Sequence, residues 1–307
     1  MIQLKQFNPQ KFIDREFEQE LFEDLLTFQD AARILSICDA SGMGKSHLLE
    51  MFRYRCRVTT RPRTPVSLID LKQLPDQSPM FLVKEIVKDL ASLDVPFPNF
   101  NAYDNARVSK DFEFIRGSVY LQGASFKEAR DVRIAGTMAN VERVELMHMT
   151  VRHAELTAEQ NEKAEEVCVR SFLDDLRAHC ATQPIVLLID SFERCGERLY
   201  LWLRDHFLEN YFFDPAKRPA KLLLVIAGRE AHNFELHWPA EDCANTVKSV
   251  AALNRWTRAD VEQCLKVHGL HYEEQDIDAF HRLIEMGIPP SQVVQMIESL
   301  VAQRRAA

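Results

Sequence analysis

Two glycines, a lysine and a hydroxyl residue stand close together at Gly42, Gly44, Lys45 and Ser46, within the run ILSICDASGMGKSHLL from Ile34 to Leu49. Their types and spacing suit the binding of a phosphate chain. Glycines here let successive backbone N–H groups curl around an anion, and the lysine reaches the outer phosphate oxygens. The serine hydroxyl can ligate Mg²⁺, and the N-terminus of the following helix presents the favourable end of its dipole. Ser41, Met43 and His47 complete the candidate cradle around them. The usual pattern is G-x-x-x-x-G-K-[ST], and Asp39 stands where its first glycine belongs. A carboxylate there either repels a polyphosphate or, turned away, closes the turn.

Two further apolar runs deliver chemistry at their ends. IVLLIDSFERC carries Asp190, a carboxylate suited to supporting Mg²⁺, with Glu193 three residues on as a candidate general base for water. The plainer alternatives are a helix N-cap for Asp190 and a solvated first-turn glutamate for Glu193. KLLLVIAGRE carries Arg229, whose planar guanidinium can answer the charge of a terminal phosphate or can simply be a surface arginine.

Such residues must be positioned by strands. Ile34–Cys38, Val66–Leu71, Ile185–Asp190 and Leu222–Ala227 are short, continuous and unalternating apolar runs, as expected of strands buried on both faces of a parallel sheet. Helical stripes lie between them. Leu82, Ile86, Leu90 and Leu93 share one face over residues 80–93, and Thr157 with Gln160 forms a capping box ahead of inward Val167, Cys168, Leu173 and Leu176. This order predicts an open α/β sheet with ligand at the strands' C-terminal ends. Residues 96–157 interrupt the rhythm, opening with the loop-like PFPNFNAYDN and continuing with alternating fragments over 144–151, and read as an insertion of β or irregular structure.

The chain has 307 residues, 46% hydrophobic and 27% charged, enough for a large domain with a smaller lid. A net charge of −8 argues against a general nucleic-acid coat, though Arg53, Arg55, Arg57, Arg61 and Arg63 with Tyr54 form a local basic stripe. A solvated helix end is the preferred reading of that stripe. The start, MIQLKQFNPQKF, lacks the apolar core of a secretory signal, and no apolar run is long enough for a membrane helix, so a cytoplasmic protein with no membrane partner is expected. Seven scattered cysteines, never spaced C-x-x-C, read as reduced thiols; His268 and His271 lack the companions of a metal site.

Taken together these motifs resemble the STAND class of P-loop ATPases, the AAA+-related group that includes NACHT, NB-ARC and origin-recognition-like proteins. FIDREFEQELFEDLL at residues 12–26 is similar to the hhGRExE segment that precedes the P-loop there, with Asp14 replacing its glycine and Arg15-Glu16 retained. LLIDSFE resembles Walker B, VIAGRE resembles sensor 1, and Gly287-Ile288-Pro289 resembles the GxP motif of the helical lid. The resemblance implies that Arg15 and Pro289 belong to the nucleotide site, with Pro289 near adenine. The helix after Pro290 holds no arginine before Arg304, so a sensor 2 arginine is missing and STAND is favoured over other AAA+ groups. A winged-helix, repeat or effector domain is also missing from the sequence, which suits a compact member or a part of something longer.

The expected protein has a P-loop domain over residues 1–252, bearing the insertion at about 96–157, and a helical lid over 253–307, with Trp256, Thr257 and Asp260 capping the lid's first helix. ATP or ADP with Mg²⁺ is the expected cofactor, adenine being favoured because no NKxD-type guanine reader occurs. Lys45, Glu193 and Arg229 are the expected catalytic residues and Ser46 and Asp190 the metal ligands. The implied function is a slowly hydrolysing switch controlling self-assembly or a separate effector or sensor protein in bacterial defence or signalling. Two alternatives stand beside it: a non-hydrolysing scaffold, suggested by Asp39 and by Ser191 where a catalytic glutamate is usual, and a DNA-associated loader or transposition helper using the arginines.

Overall fold

The computed structural model describes residues 7–109, 112–115, 118–121 and 158–306. The Thr157 capping box and the alternating fragments over 144–151 lie outside the described residues. In chain order the main elements are α1 (Glu16–Leu26), β1 (Ile34–Cys38), α2 (Lys45–Tyr54), β2 (Val66–Asp70), α3 (Pro79–Ala91), α4 (Pro98–Ser109), β3 (Phe112–Ile115), β4 (Ser118–Leu121) and α5 (Ala158–Cys180). They continue with β5 (Ile185–Asp190), α6 (Glu197–Trp202), β6 (Leu222–Gly228), α7 (Ala240–Thr246), β7 (Val247–Val250), α8 (Arg258–Val267), α9 (Glu274–Glu285) and α10 (Pro290–Ala306). The chain divides into two units, one joining Met1–Leu93 to His179–Ala307 and the other spanning Asp94–Ala178.

The first unit is an α/β fold built on a five-stranded parallel sheet of order β2-β5-β6-β1-β7. Every residue of β5 and β6 is buried, which explains why their sequences are unbroken apolar runs. On one face Phe22 and Leu25 of α1 and Leu48, Leu49 and Phe52 of α2 pack against Leu35, Ile37, Val186, Leu188, Val225 and Ala227. The rings of Phe22 and Phe52 stack at 4.0 Å and 6°. Burial of each such ring stabilises the fold by about 1.5–3 kcal/mol. The sequence reading found four of these strands and missed β7. That strand is the edge VKSV, partly exposed along three of its four residues, and its parallel register with β1 (Ile34 to Val247, Ile37 to Val250) supplies a stability that no local apolar run announces.

After β7 the chain enters a second apolar cluster, in which Trp256, Val261, Cys264, Leu265, Ile277, Ile284, Val293 and Ile297 of the α8–α10 region gather around Ile13 from the N-terminal segment. Thr257 and Asp260 form the reciprocal capping box of α8. Gly287, at φ +92°, supplies the left-handed turn that ends α9. Arg304 donates to the carbonyl of His271 at 2.8 Å, so it ties α10 to the loop before α9. None of the seven cysteines forms a disulfide, and none of the described helices is long and apolar enough to cross a membrane.

In the second unit the run expected to be a loop, PFPNFNAYDN, is instead the start of α4. Pro98 pre-sets the first helical φ. The carboxylate of Asp175, on α5, accepts the N–H of Phe100 at 2.9 Å and the amide of Asn99 at 2.7 Å. Phe97 stacks on Phe172 at 5.5 Å. The cap comes from far along the chain, which is why the local polar sequence reads as a loop. β3 and β4 pair as an antiparallel hairpin, Phe112 opposite Leu121.

A cluster of rings supports the turn after β5. His232 meets the edges of Phe192, Tyr200 and Phe234, and desolvation there lowers its pKa to about 4. An imidazole whose folded pKa is depressed contributes stability that is present above its unfolded value near 6.5 and is lost as pH falls toward about 4. Melts across that window should show a loss of about 1–2 kcal/mol, trimmed by solvent screening at a partly exposed ring, and His232→Phe should flatten that part of the profile. An unchanged slope in His232→Phe would show that the ring does not titrate in this way.

Candidate phosphate-binding site

The parallel sheet places the C-terminal ends of β1, β6 and β5 side by side on one edge, with β6 in the middle. From β1 the chain turns through Asp39–Gly44 into α2. Gly42 and Gly44 have φ of +84° and +98°, conformations that β-carbon-bearing residues resist and that give the loop its curl. Lys45 is buried, its ammonium donating to the carbonyls of Asp39 at 2.5 Å and Ala40 at 2.8 Å. Burial lowers its pKa, against the pull of Asp39, Glu193 and Asp190 nearby. Ser41, Ser46 and His47 are exposed along the same loop and first helical turn.

At the end of β5, Asp190 is buried and its pKa is raised by desolvation, opposed by the nearby Ser46 hydroxyl and by a hydrogen bond from the Ser191 N–H at 2.8 Å. Asp70, its register partner at the end of β2, adds a like charge that pushes the same way. Ser46 and Asp190 therefore meet across the width of β6. A hydroxyl and a carboxylate so joined are an oxygen donor set that suits Mg²⁺. Ser191 follows at φ +59°, and the turn Phe192–Arg194 brings Glu193 back toward β6. There Glu193 accepts the Arg229 N–H at 3.1 Å and pairs with its guanidinium at 3.2 Å. The two residues expected to act on a terminal phosphate thus hold each other.

The loop is also held by the N-terminal segment, by the chain after β7 and by the start of α10. Arg15, almost fully buried and with φ +85°, forks between the carbonyls of Met43 at 2.9 Å and Asn254 at 2.7 Å and pairs with Asp14. Asp39 turns its carboxylate away from the cradle, accepting the N–H groups of Ala40 at 2.6 Å and Leu253 at 2.8 Å. At the loop's tip, the Ser291 N–H donates to the carbonyl of Gly42 at 3.2 Å, and Pro289 lies beside the same glycine. Leu253, Asn254 and Ser291 were invisible as site residues in the sequence. Only the serine left a trace, as the polar residue following Pro289-Pro290 at a helix start.

Among the described residues no group of three or more His, Cys, Asp or Glu side chains could hold a metal ion by itself. Four members of the arginine stripe have local partners: Arg53 pairs with Glu50, Arg55 with Glu23 and Gln19, Arg57 donates to the Val66 carbonyl and Arg61 to that of Val58.

No protein-family model and no curated protein matches the chain. Among solved structures it is similar to a chain of Drosophila ORC bound to DNA, at TM-score 0.48 and 13% identity, with 97% of this chain and 58% of that one covered. It is also similar to the Aeropyrum pernix ORC2 protein in its ADP form, at TM-score 0.48 and 10% identity, with 96% and 63% covered. A third is Cdc6p from Pyrobaculum aerophilum, at TM-score 0.39 and 13% identity, with 85% and 52% covered. The chain thus spans less than two-thirds of the length of each. A shared function does not follow from likenesses this distant.

The two loop glycines should respond differently to substitution. A β-carbon at Gly44 meets nothing within 4 Å, so Gly44→Ala should cost only the left-handed strain of roughly 1–2 kcal/mol. At Gly42 it would lie 2.6 Å from the Ser291 hydroxyl and 3.0 Å from Pro289, so Gly42→Ala should cost about 1–3 kcal/mol more. Thermal melts of the two variants measure this, and equal losses would mean that the lid does not press on the loop.

Proposed function

We propose that the chain binds ATP and ADP with Mg²⁺ and works as a slow nucleotide switch. The observation that carries this reading is the convergence on one sheet edge of the Gly-rich loop, with Gly42 and Gly44 in the left-handed region and the buried Lys45 ammonium, and the buried Asp190 at the end of β5, whose carboxylate feels both Lys45 and Ser46. Ser41, Met43, Gly44 and His47 would supply the loop's phosphate contacts, and Lys45 would exchange its two carbonyl partners for phosphate oxygens. Bound Mg²⁺ would neutralise charge between the phosphates, held by Ser46 and Asp190. Glu193 would orient water, and Arg229 would answer the terminal phosphate, once their mutual pairing opens. A domain division at about residue 252, with Pro289 reporting nucleotide state to the lid, fits the tie between Ser291 and Gly42. Membership of the STAND class, a role in defence or signalling, and control of an effector or of self-assembly extend this reading on the strength of the sequence motifs.

The non-hydrolysing scaffold remains the second reading, favoured specifically by the Glu193–Arg229 pair and by Ser191 beside Asp190. DNA, to which the Drosophila ORC is bound, ranks third, since four of the five stripe arginines are engaged locally.

Calorimetry with Mg-ATP, Mg-ADP and Mg-GTP tests the ligand. Adenine nucleotides should bind more tightly, and Lys45→Ala should weaken Mg-ATP by about 1.5–3 kcal/mol, the worth of a charge-assisted hydrogen bond. Preference for GTP, or indifference to Lys45→Ala, would sink the proposal.

Turnover separates switch from scaffold. Glu193→Gln should keep Mg-ATP but lose most hydrolysis, a general base typically supplying about 10²–10⁴-fold. Arg229→Ala should keep ADP affinity and lose any change in scattering or mass that ATP alone induces. Wild-type protein without turnover, tested with and without a partner, would instead establish the scaffold.

A further inference from the structure

We propose that Asp39 is a positioning residue that couples the phosphate loop to the linker entering the lid, an inference that rests on the nucleotide-binding reading above. Asp39 occupies the place where the loop pattern has glycine, and it holds two different parts of the molecule at once. Its carbonyl accepts the Lys45 ammonium at 2.5 Å, while its carboxylate accepts the Leu253 N–H at 2.8 Å. A glycine there has no second arm. Leu253 is buried in the sheet's core cluster. The next residue, Asn254, is held by Arg15, whose other nitrogen holds Met43 in the loop. Trp256, three residues beyond Leu253, is already part of the lid's apolar cluster.

Lys45 has three N–H donors and gives two of them to the Asp39 and Ala40 carbonyls, so an ammonium that turns to more than one phosphate oxygen must release a carbonyl. When a phosphate draws the ammonium away, the 39–40 peptide loses its restraint and the carboxylate's grip on Leu253 loosens. Phosphate occupancy is thereby reported at the root of the lid. The bland alternative is that Asp39 merely closes the turn through Ala40, and under it Leu253 would be indifferent to residue 39 and to nucleotide.

The test is hydrogen exchange resolved to the Leu253 amide, on the full chain, without nucleotide, with Mg-ADP and with Mg-ATP. In wild-type protein Mg-ATP should slow exchange at the start of α2 and speed it at Leu253 by about tenfold, the range of one charge-assisted bond. In Asp39→Gly the Leu253 amide should already exchange about tenfold faster without nucleotide and should respond no further, while the loop still becomes protected by Mg-ATP. Should Asp39→Gly loosen the loop itself, Asp39→Ala, which removes both carboxylate acceptors without adding backbone freedom, should show the same loss of response. The coupling is refuted if Leu253 is equally protected in wild type and Asp39→Gly, or if the variants still transmit the Mg-ATP effect. It is refuted as well if wild-type Leu253 ignores Mg-ATP while the loop is protected. Failure of Mg-ATP to protect even the wild-type loop sinks the nucleotide reading itself, and the coupling with it.

Discussion

Insertion of β6 between β1 and β5 sets everything else at the site. Parallel pairing in register brings Cys38 level with Gly228, and one strand further over Ile189 level with Ile226, so that three chain exits open on the same edge. Because β5 and β6 are buried on both faces, neither can slide by a residue without exposing or inverting a full row of apolar side chains. Rigid strands therefore fix where Asp190, Glu193 and Arg229 emerge. The Gly-rich loop leaves β1 at the same edge, which brings Ser46 close enough to Asp190 to act on its carboxylate.

Desolvation gives that edge its chemical character. Burial raises the pKa of Asp190 and lowers that of Lys45, so both are less comfortable as ions than they would be in water. Each is relieved by polar neighbours, Lys45 by the two carbonyls to which it donates and Asp190 by the Ser191 N–H and the nearby Ser46 hydroxyl. These are partners that phosphate oxygens and a divalent cation would outmatch in charge. The site is built from groups that gain when opposite charge arrives.

Much of this was legible in the sequence, for a physical reason: strands buried on both faces need continuous apolar residues, and the residues at their ends then declare themselves by being charged. Asp190 and Arg229 were readable on that basis, and Gly42, Gly44 and Lys45 because the backbone geometry they serve is local. Distant partners left no such mark. The cap of α4 comes from Asp175, β7 is held by pairing with β1 rather than by its own residues, and the Leu253 N–H finds Asp39 more than two hundred positions away. At Asp39 the sequence leaves repulsion and turn closure both open, because its bond to the Leu253 N–H exists only in the folded chain.

The two sets of contacts around the loop differ in how easily they yield. The pair between Glu193 and Arg229 involves a guanidinium side chain that is 50% exposed, and such ion pairs are typically worth about 0–1 kcal/mol. A terminal phosphate brings a larger charge to the same guanidinium, so the pair can open at little cost. The fork of Arg15 is different. Its side chain is only 4% exposed, its backbone and that of Asp14 are in the left-handed region, and losing either carbonyl would leave a buried guanidinium with an unsatisfied N–H. Strain of this kind persists only where surrounding structure over-determines it. The N-terminal segment, the loop and the lid linker are therefore fastened at one fixed point, Arg15, beside which Asp39 and Ser291 make lighter contacts. The proposed switch calls for that division, one anchor that does not move and others that exchange, and the lighter contacts are made at Asp39 and Gly42 of the loop itself.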